Sequence, residues 1–292
     1  MSAQELVLSL GLSPCPNDTF IFHALLEGLV EVPAPAPWTG PIRFVPHFAD
    51  VEELNTLAVA GKLDVTKLSL GAVARIMEAY ALFSSGAALG WGCGPLVVAA
   101  KPLTPAQATA ASVVVPGFMT TANLLLDLHG GFGGKRSELL FSEIMDAVSR
   151  GEAGLGVIIH EGRFTYEEHG LCKILDLGQW WEGAFHLPLP LGAIAGKRSL
   201  PRDVALAVQE GIAQSLRHAW AHPEASRDFI RAHAQELDDA VTRAHIETFV
   251  TAYSEDLGPA GREAIRTLVG RSAARLGLTL PAAGLFWPEK AA

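Results

Sequence analysis

The sequence predicts an α/β protein of two lobes, with a cleft between the lobes and a helical carboxyl-terminal region. Three observations support this prediction. Strand-like and helix-like segments alternate over the first two thirds of the 292 residues, which is typical of parallel sheets flanked by helices. The alternation falls into two segments that each mix strands and helices, and each is long enough to form a sheet of its own. From Pro201 onward the pattern is helical.

The first mixed segment begins with a short apolar run and ends near residue 80. In order, its predicted strands and helices are Leu6–Leu10, Asn17–Gly28, Ile42–Pro46, a helix that opens at Asp50, Leu63–Leu68 and Gly71–Tyr80. The carboxylate of Asp50 can accept a hydrogen bond from a free N–H group of the first helical turn, and Glu53 stands at capping-box distance. The proline-rich stretch from Pro33 to Pro41 is short enough to be a surface loop.

The second mixed segment repeats this order and then returns to the first. Its predicted elements are strands at Pro95–Ala100, Ser112–Pro116 and Leu155–Ile159, and helices at Thr121–Leu128 and Phe141–Arg150. The apolar run Pro188–Ala195 can cross back to the first sheet. We therefore expect a discontinuous large lobe of residues 1–96 and 195–292 and a small lobe of residues 97–194. Clefts between lobes are favoured sites for small molecules.

The carboxyl-terminal region contains three prolines that suit a first helical turn, where the missing N–H group is not needed. These are Pro201, Pro223 and Pro259. Four histidines lie on helical, polar-looking stretches and are predicted to be surface or packing residues: His218, His222, His233 and His245.

Composition narrows the classes of function. The net charge of −9 argues against nucleic acid as a partner, because that partner requires a basic surface. Cys15, Cys93 and Cys172 are far apart and have no zinc-ligand spacing, so we expect reduced thiols and no metal. No apolar stretch is long enough to span a membrane, and residues 1–12 do not read as a signal peptide. These features predict a cytoplasmic protein.

The residue most indicative of chemistry is His160, which directly follows the apolar run Leu155–Ile159. In α/β sheets, ligands bind at the carboxyl ends of strands. A histidine there titrates near neutrality and can accept or give a proton. The alternative is a structural histidine in a loop. Glu161 could orient the imidazole or pair with Arg163.

Three other junctions follow strands and can face the same cleft. After the first strand, Ser13 and Asn17 stand in a proline-rich turn that can contact a ligand or only cap a helix. At the end of the third strand, Lys67 is either a solvated lysine or a counter-charge for a carboxylate, and Ser69 adds a donor. Thr120 and Thr121 begin a helix, where free N–H groups and hydroxyls suit an anion, although capping alone explains at least one of them.

Three further residues carry weaker signals. Cys15 is a candidate nucleophile, but nothing adjacent in the sequence lowers its pKa except a helix end, and burial is the more common state. Trp180 and Trp181 could cover an aromatic ligand, although tryptophans more often pack in the core. The chain has two glycine-rich stretches, Gly90–Pro95 and Gly130–Gly134. Neither has the spacing of a nucleotide-binding loop, so no cofactor is predicted.

Several motifs resemble those of the 1,4-dihydroxy-6-naphthoate synthases of the futalosine route to menaquinone. The resemblance covers nearly the whole chain. It is carried by Ser13-Pro-Cys-Pro-Asn-Asp-Thr-Phe20, Asp50-Val-Glu-Glu-Leu-Asn55, Thr66-Lys-Leu-Ser69, Thr120-Thr-Ala-Asn123, Ile158-Ile-His-Glu-Gly-Arg-Phe-Thr-Tyr166, Asp176-Leu-Gly-Gln-Trp-Trp-Glu182 and Leu187-Pro-Leu-Pro-Leu-Gly192.

The resemblance implies a fold, a reaction and a set of site residues. The fold is that of type II periplasmic binding proteins, and the reaction converts cyclic dehypoxanthine futalosine into 1,4-dihydroxy-6-naphthoate with release of dihydroxyacetone. His160 would be the proton acceptor. Two segments would bind the carboxylate substrate, namely Lys67-Leu68-Ser69 and Thr120-Thr121. No cofactor is implied, and a homodimer is possible.

Two alternative functions remain open on the sequence alone. The first is chorismate dehydratase, a relative of the same fold and pathway whose substrate also carries carboxylates. The second is a non-catalytic binding protein for small anions in a transport system, since a fold does not fix a function. That second role requires export, which the amino terminus does not indicate.

Overall fold

The protein contains two β-sheets in this computed structural model, which describes residues 5–234 and 238–287. The first sheet has the strand order β2-β1-β3-β11-β4, and β5 also pairs with β11. β1 runs parallel to β2 and β3, whereas β11 is antiparallel to β3. These strands are β1 (Leu6–Leu12), β2 (Ile42–Phe48), β3 (Val65–Ser69), β4 (Tyr80–Leu82), β5 (Ala88–Gly90) and β11 (Leu189–Lys197).

The second sheet has the order β10-β6-β9-β7-β8. β9 is parallel to β7 and antiparallel to β6. Its strands are β6 (Leu96–Ala99), β7 (Val113–Val115), β8 (Arg136–Glu138), β9 (Leu155–Ile158) and β10 (Cys172–Asp176). The apolar run that was expected to cross back to the first sheet does so as β11. The lobe boundaries stay a prediction.

Helices flank both sheets, and those from residue 202 onward form the helical region that the sequence predicts. The α-helices are α1 (Pro16–Leu26), α2 (Val51–Val59), α3 (Leu70–Ile76), α4 (Pro105–Ala110), α5 (Thr121–His129), α6 (Ile144–Ser149), α7 (Gly162–Thr165), α8 (Leu177–Phe185), α9 (Arg202–Ala221), α10 (Arg227–His233), α11 (Asp239–Phe249), α12 (Ala252–Glu255) and α13 (Gly258–Arg275). Short 3-10 turns cover Phe141–Glu143 and Pro223–Ser226. Within the described residues, no helix is both long and apolar enough to cross a membrane.

Some sequence-based boundaries are wrong, each for a local reason. The helix predicted over Gly71–Tyr80 ends at Ile76, because Tyr80 enters β4 and its buried hydroxyl donates to the Leu63 carbonyl at 2.6 Å. The expected cap of α2 is confirmed, because the carboxylate of Asp50 accepts from the N–H of Glu52 at 2.8 Å. Pro201 precedes α9 as its N-cap residue and does not lie in the first turn.

Candidate active site

The ends of β1, β3 and β9 and the start of α5 surround one cavity. It encloses about 680 Å³, part of it open to solvent. Seven of the eight predicted site residues line it: Ser13, Asn17, Lys67, Ser69, Thr120, Thr121 and His160. Leu68 is the exception. Because successive side chains of a strand point to opposite faces, Leu68 packs in the core while its two neighbours reach the cavity.

His160 is held in an unusual backbone conformation at the end of β9. Its φ of +55° lies in the left-handed region, which is uncommon for a residue other than glycine. The half-buried ring contacts Phe141 edge-on, with 4.9 Å between ring centroids. Burial and, to a smaller extent, the positive charge of Lys67 together lower the pKa of His160 to about 4, with the charge of Asp18 opposing the shift. The imidazole is therefore neutral at pH 7.

Lys67 forms a buried ion pair. Its Nζ donates to Asp18 Oδ1, and both side chains are almost fully removed from solvent. The other oxygen of Asp18 accepts from the backbone N–H of Ser13 at 3.1 Å and from its hydroxyl at 2.8 Å. The interpretation of Lys67 as a solvated lysine is wrong, because the carboxylate of Asp18 compensates its charge inside the protein.

Asn17 connects this ion pair to a second histidine, His245 of α11. The amide of Asn17 donates to Asp18 Oδ1 at 2.8 Å, and its Oδ1 lies 3.0 Å from His245 Nε2. Because Asn17 Oδ1 can only accept, Nε2 of His245 carries the proton. The ring of His245 stacks on that of His160, with 6.0 Å between centroids and 15° between planes.

His245 is the site residue that the sequence did not single out. It is fully buried, and burial lowers its pKa well below the ordinary value of 6.5, with smaller contributions from His160 and Lys67. The polar character of its helix predicted a surface or packing position. Its only signal in the sequence is a spacing of four from Phe249, which lines the cavity.

The hydroxyls of Thr120 and Thr121 already have protein partners. Thr120 Oγ1 donates to the Gly117 carbonyl at 2.7 Å and accepts from Asn123 N at 3.2 Å, which caps α5. Thr121 Oγ1 donates to the Leu191 carbonyl at 2.5 Å. Since the hydroxyl protons and the N–H of Asn123 are used, the donors that this helix start can offer a carboxylate are the remaining N–H groups of its first turn.

Arg163 and Glu161 have separate partners. Arg163 donates to the Gly94 carbonyl at 2.6 Å and to Asp176 Oδ2 at 3.0 Å, so it pairs with Asp176. Glu161 Oε2 lies 3.9 Å from Nδ1 of His245, so its carboxylate faces the second histidine.

Cys15 and Trp181 are packing residues. Burial raises the pKa of the Cys15 thiol above its ordinary value, and the charge of Glu161 raises it further, so the thiol stays protonated. Trp181 is fully buried in the core and donates its indole N–H to the Pro188 carbonyl at 3.1 Å. The packing interpretation of Trp181 is confirmed.

Comparison with known proteins decides the family. The sequence profile of a protein family described as menaquinone biosynthesis matches residues 8–274. The chain belongs to this menaquinone biosynthesis family. A protein of Thermus thermophilus named 1,4-dihydroxy-6-naphthoate synthase is 46% identical over 94% of this chain and 96% of its own length. A Streptomyces coelicolor protein of the same name is 42% identical over 91% of this chain and 93% of its own length.

Solved structures agree on the fold. A protein of Archaeoglobus fulgidus superimposes with a TM-score of 0.84 at 30% identity, and the match covers 94% of this chain and 98% of that one. The alkanesulfonate-binding protein of Xanthomonas axonopodis superimposes with a TM-score of 0.68 at 16% identity, covering 97% of each chain. The predicted periplasmic-binding-protein fold and the predicted naphthoate synthase family are both confirmed.

Proposed function

We propose that this member of the menaquinone biosynthesis family converts cyclic dehypoxanthine futalosine into 1,4-dihydroxy-6-naphthoate and releases dihydroxyacetone. One observation carries the proposal: a chain 46% identical to a named synthase has a neutral histidine at the cavity, at the end of a strand. The class of reaction is carbon–carbon lysis. With this biosynthetic role we also propose a cytoplasmic location.

His160 acts as the base in the proposed mechanism. Its neutral imidazole takes the proton of a hydroxyl on the sugar-derived portion of the substrate. The oxygen's electron pair forms a carbonyl as the adjacent carbon–carbon bond breaks, which releases the triose. The electron pair of the broken bond passes to the ring system as an enolate. Protonation and aromatisation of the bicyclic ring then make the step favourable. General base catalysis of this kind contributes about a hundred- to ten-thousandfold.

Substrate binding itself strengthens this base. The pKa of about 4 belongs to a cavity in which Lys67 adds positive charge near the ring. A bound carboxylate brings negative charge to the same cavity, and a nearby negative charge raises the pKa of a histidine. The base is thus neutral before substrate arrives and becomes a stronger proton acceptor in the complex.

The substrate carboxylate binds at the start of α5 in this proposal. The carboxylate of Asp18 compensates the positive charge of Lys67, so Lys67 offers no free charge to the substrate carboxylate. The first-turn N–H groups of α5 and the hydroxyl of Ser69 remain as donors on two sides of the cavity. Preorganised donors of this kind stabilise the enolate that develops in the transition state.

A product assay tests the proposed function. The wild-type protein is incubated with cyclic dehypoxanthine futalosine, and both products are identified by mass spectrometry. Equal amounts of 1,4-dihydroxy-6-naphthoate and dihydroxyacetone are the expected result. A folded protein that gives neither product, and that instead forms 3-enolpyruvylbenzoate from chorismate or binds a small anion without turnover, would overturn the proposal.

A further inference from the structure

The helix start Asp50–Asn55 connects two loops that border the cavity. Glu52 of α2 extends a carboxylate to the turn between β7 and α5, where its Oε1 accepts from the backbone N–H of Met119 at 2.9 Å. Its Oε2 accepts from the side-chain amide of Asn55 at 2.9 Å. α2 precedes β3 of the first sheet, whereas Met119 follows β7 of the second. The carboxylate therefore joins segments that belong to different sheets.

Asn55 continues this connection to the cavity. The side chain is fully buried, and its Oδ1 accepts from the backbone N–H of Ser69 at 2.9 Å. A chain of three hydrogen bonds thus runs from Met119 through Glu52 and Asn55 to Ser69. Ser69 lines the cavity, and Met119 directly precedes Thr120, which also lines it.

The approach of these segments depends on glycine. At Gly117, whose φ is +146°, an added Cβ would lie 2.5 Å from Cδ of Glu52. At Gly71, in the first turn of α3, an added Cβ would lie 2.5 Å from the carbonyl oxygen of Thr120. At Gly71 the obstructing atoms are backbone and cannot move aside, whereas at Gly117 a side chain would displace the carboxylate of Glu52 from its place.

We propose that Glu52 and Asn55 are positioning residues that couple closure of the cavity to the orientation of Ser69. Both ends of the hydrogen-bond chain are backbone N–H donors. The two side chains between them must therefore supply an acceptor at each end and one donor in the middle. One carboxylate and one amide meet this requirement, whereas two amides or two carboxylates do not.

Because the chain requires one carboxylate and one amide, exchanging these two groups between positions 52 and 55 is a sharp test. Glu52→Gln places two donors against each other at one junction, whichever way the two amides are turned. Asn55→Asp places two carboxylates against each other. The double variant Glu52→Gln/Asn55→Asp restores every hydrogen bond and the original charge, because the amide and the carboxylate have changed places. Glu53→Gln is the matched control, since it removes the same charge from an exposed neighbour on the same helix.

The expected result for either single variant is a rise in KM of about tenfold or more, the equivalent of one hydrogen bond to a charged group, with kcat changed much less. In these variants the closed cavity is less populated before binding, so part of the substrate's binding free energy is used to close it, which lowers the apparent affinity. Loss of folded protein would lower kcat and leave KM unchanged. The double variant and the control should stay within about threefold of the wild type.

The activity readout rests on the proposed function, so a second measurement is independent of it. Amide hydrogen exchange, measured without substrate, should become faster at Ser69 and Met119 in both single variants and return to the wild-type rate in the double variant. Single variants with wild-type KM and wild-type exchange, or a double variant no better than the worse single variant, would overturn the proposal. A wild type without turnover would overturn the proposed function alone, because exchange would still decide this inference.

Discussion

At the scale of single residues, the site is built from groups whose charge is compensated or suppressed. Lys67 is paired with Asp18, and both ring systems at the centre, His160 and His245, are held neutral. Burial is the main cause in both rings, because water is replaced by atoms that do not stabilise a cation. A neutral imidazole can accept a proton at once, whereas an imidazolium cannot.

The pKa of His160 predicts an unusual pH profile. The proposed base acts only in its neutral form, so kcat/KM should stay constant as the pH falls below the ordinary histidine value of 6.5 and decline only near pH 4. The folded state also loses stability as the pH falls from 6.5 to about 4, because in this range the unfolded chain binds a proton at His160 that the folded chain does not. An NMR titration of the His160 ring, assigned with His160→Gln, separates the two effects. A midpoint near 6.5 would contradict the structure.

His245 should contribute to stability through Asn17. In His245→Phe the ring can still stack on His160, but Asn17 Oδ1 loses its donor in a buried position. We expect the free energy of unfolding to fall by about 1–3 kcal/mol, measured by urea denaturation. His222→Phe is the control, since His222 is exposed and should change stability by less than about 0.5 kcal/mol. Equal effects in the two variants would contradict the assigned hydrogen bond.

The sequence could predict residues that follow strands but not the contacts among them. Ser13, Lys67 and His160 were identifiable because each stands where an apolar run ends. The pair of Lys67 with Asp18 spans 49 positions, and the contact of Asn17 with His245 spans 228. No local pattern encodes separations of this length, since they depend on how the sheets pack.

At the scale of elements, long apolar or strongly periodic segments were predictable and short ones were not. β11 was expected from its apolar run, and α9 from the helical pattern after Pro201. β5 and β8 have only three residues each, and β8 is the polar sequence Arg-Ser-Glu. Such strands exist because a neighbouring strand supplies hydrogen-bond partners, which the sequence of the strand itself does not reveal.

The junction of β6 with α8 gives a prediction at this scale. An added Cβ at Gly94 would lie 2.3 Å from backbone atoms of Gly178, which cannot move aside as a side chain can. Gly94→Ala should therefore lower the free energy of unfolding by about 1–3 kcal/mol or more.

Gly183→Ala is the matched control, because Gly183 lies within α8 and an added Cβ there meets nothing within 4 Å. That variant should be neutral or stabilising by up to about 1 kcal/mol, since alanine favours helix over glycine. Thermal unfolding of both variants measures the difference. A Gly94→Ala protein as stable as the wild type would show that the two backbones do not approach as described.

At the scale of the whole molecule, the fold concentrates hydrogen-bond donors at one cavity, although the net charge of the chain is unfavourable for the proposed anionic substrate. The net charge of −9 provides no general attraction for a carboxylate. In the proposed function, specific groups from both sheets therefore hold the carboxylate, and the cavity brings together predicted site residues from positions 13 to 160. This arrangement explains why the site residues are scattered along the sequence.

Turnover of cyclic dehypoxanthine futalosine by His160→Ala, beside the wild type, is the most direct test of the central claim that His160 is the base. Substrate binding is measured on the same samples by calorimetry. We expect kcat to fall by about a hundred- to ten-thousandfold while the dissociation constant stays within a few fold of the wild type, because the donors of α5 and Ser69 are intact. Near-wild-type kcat in a folded His160→Ala protein would contradict the mechanism.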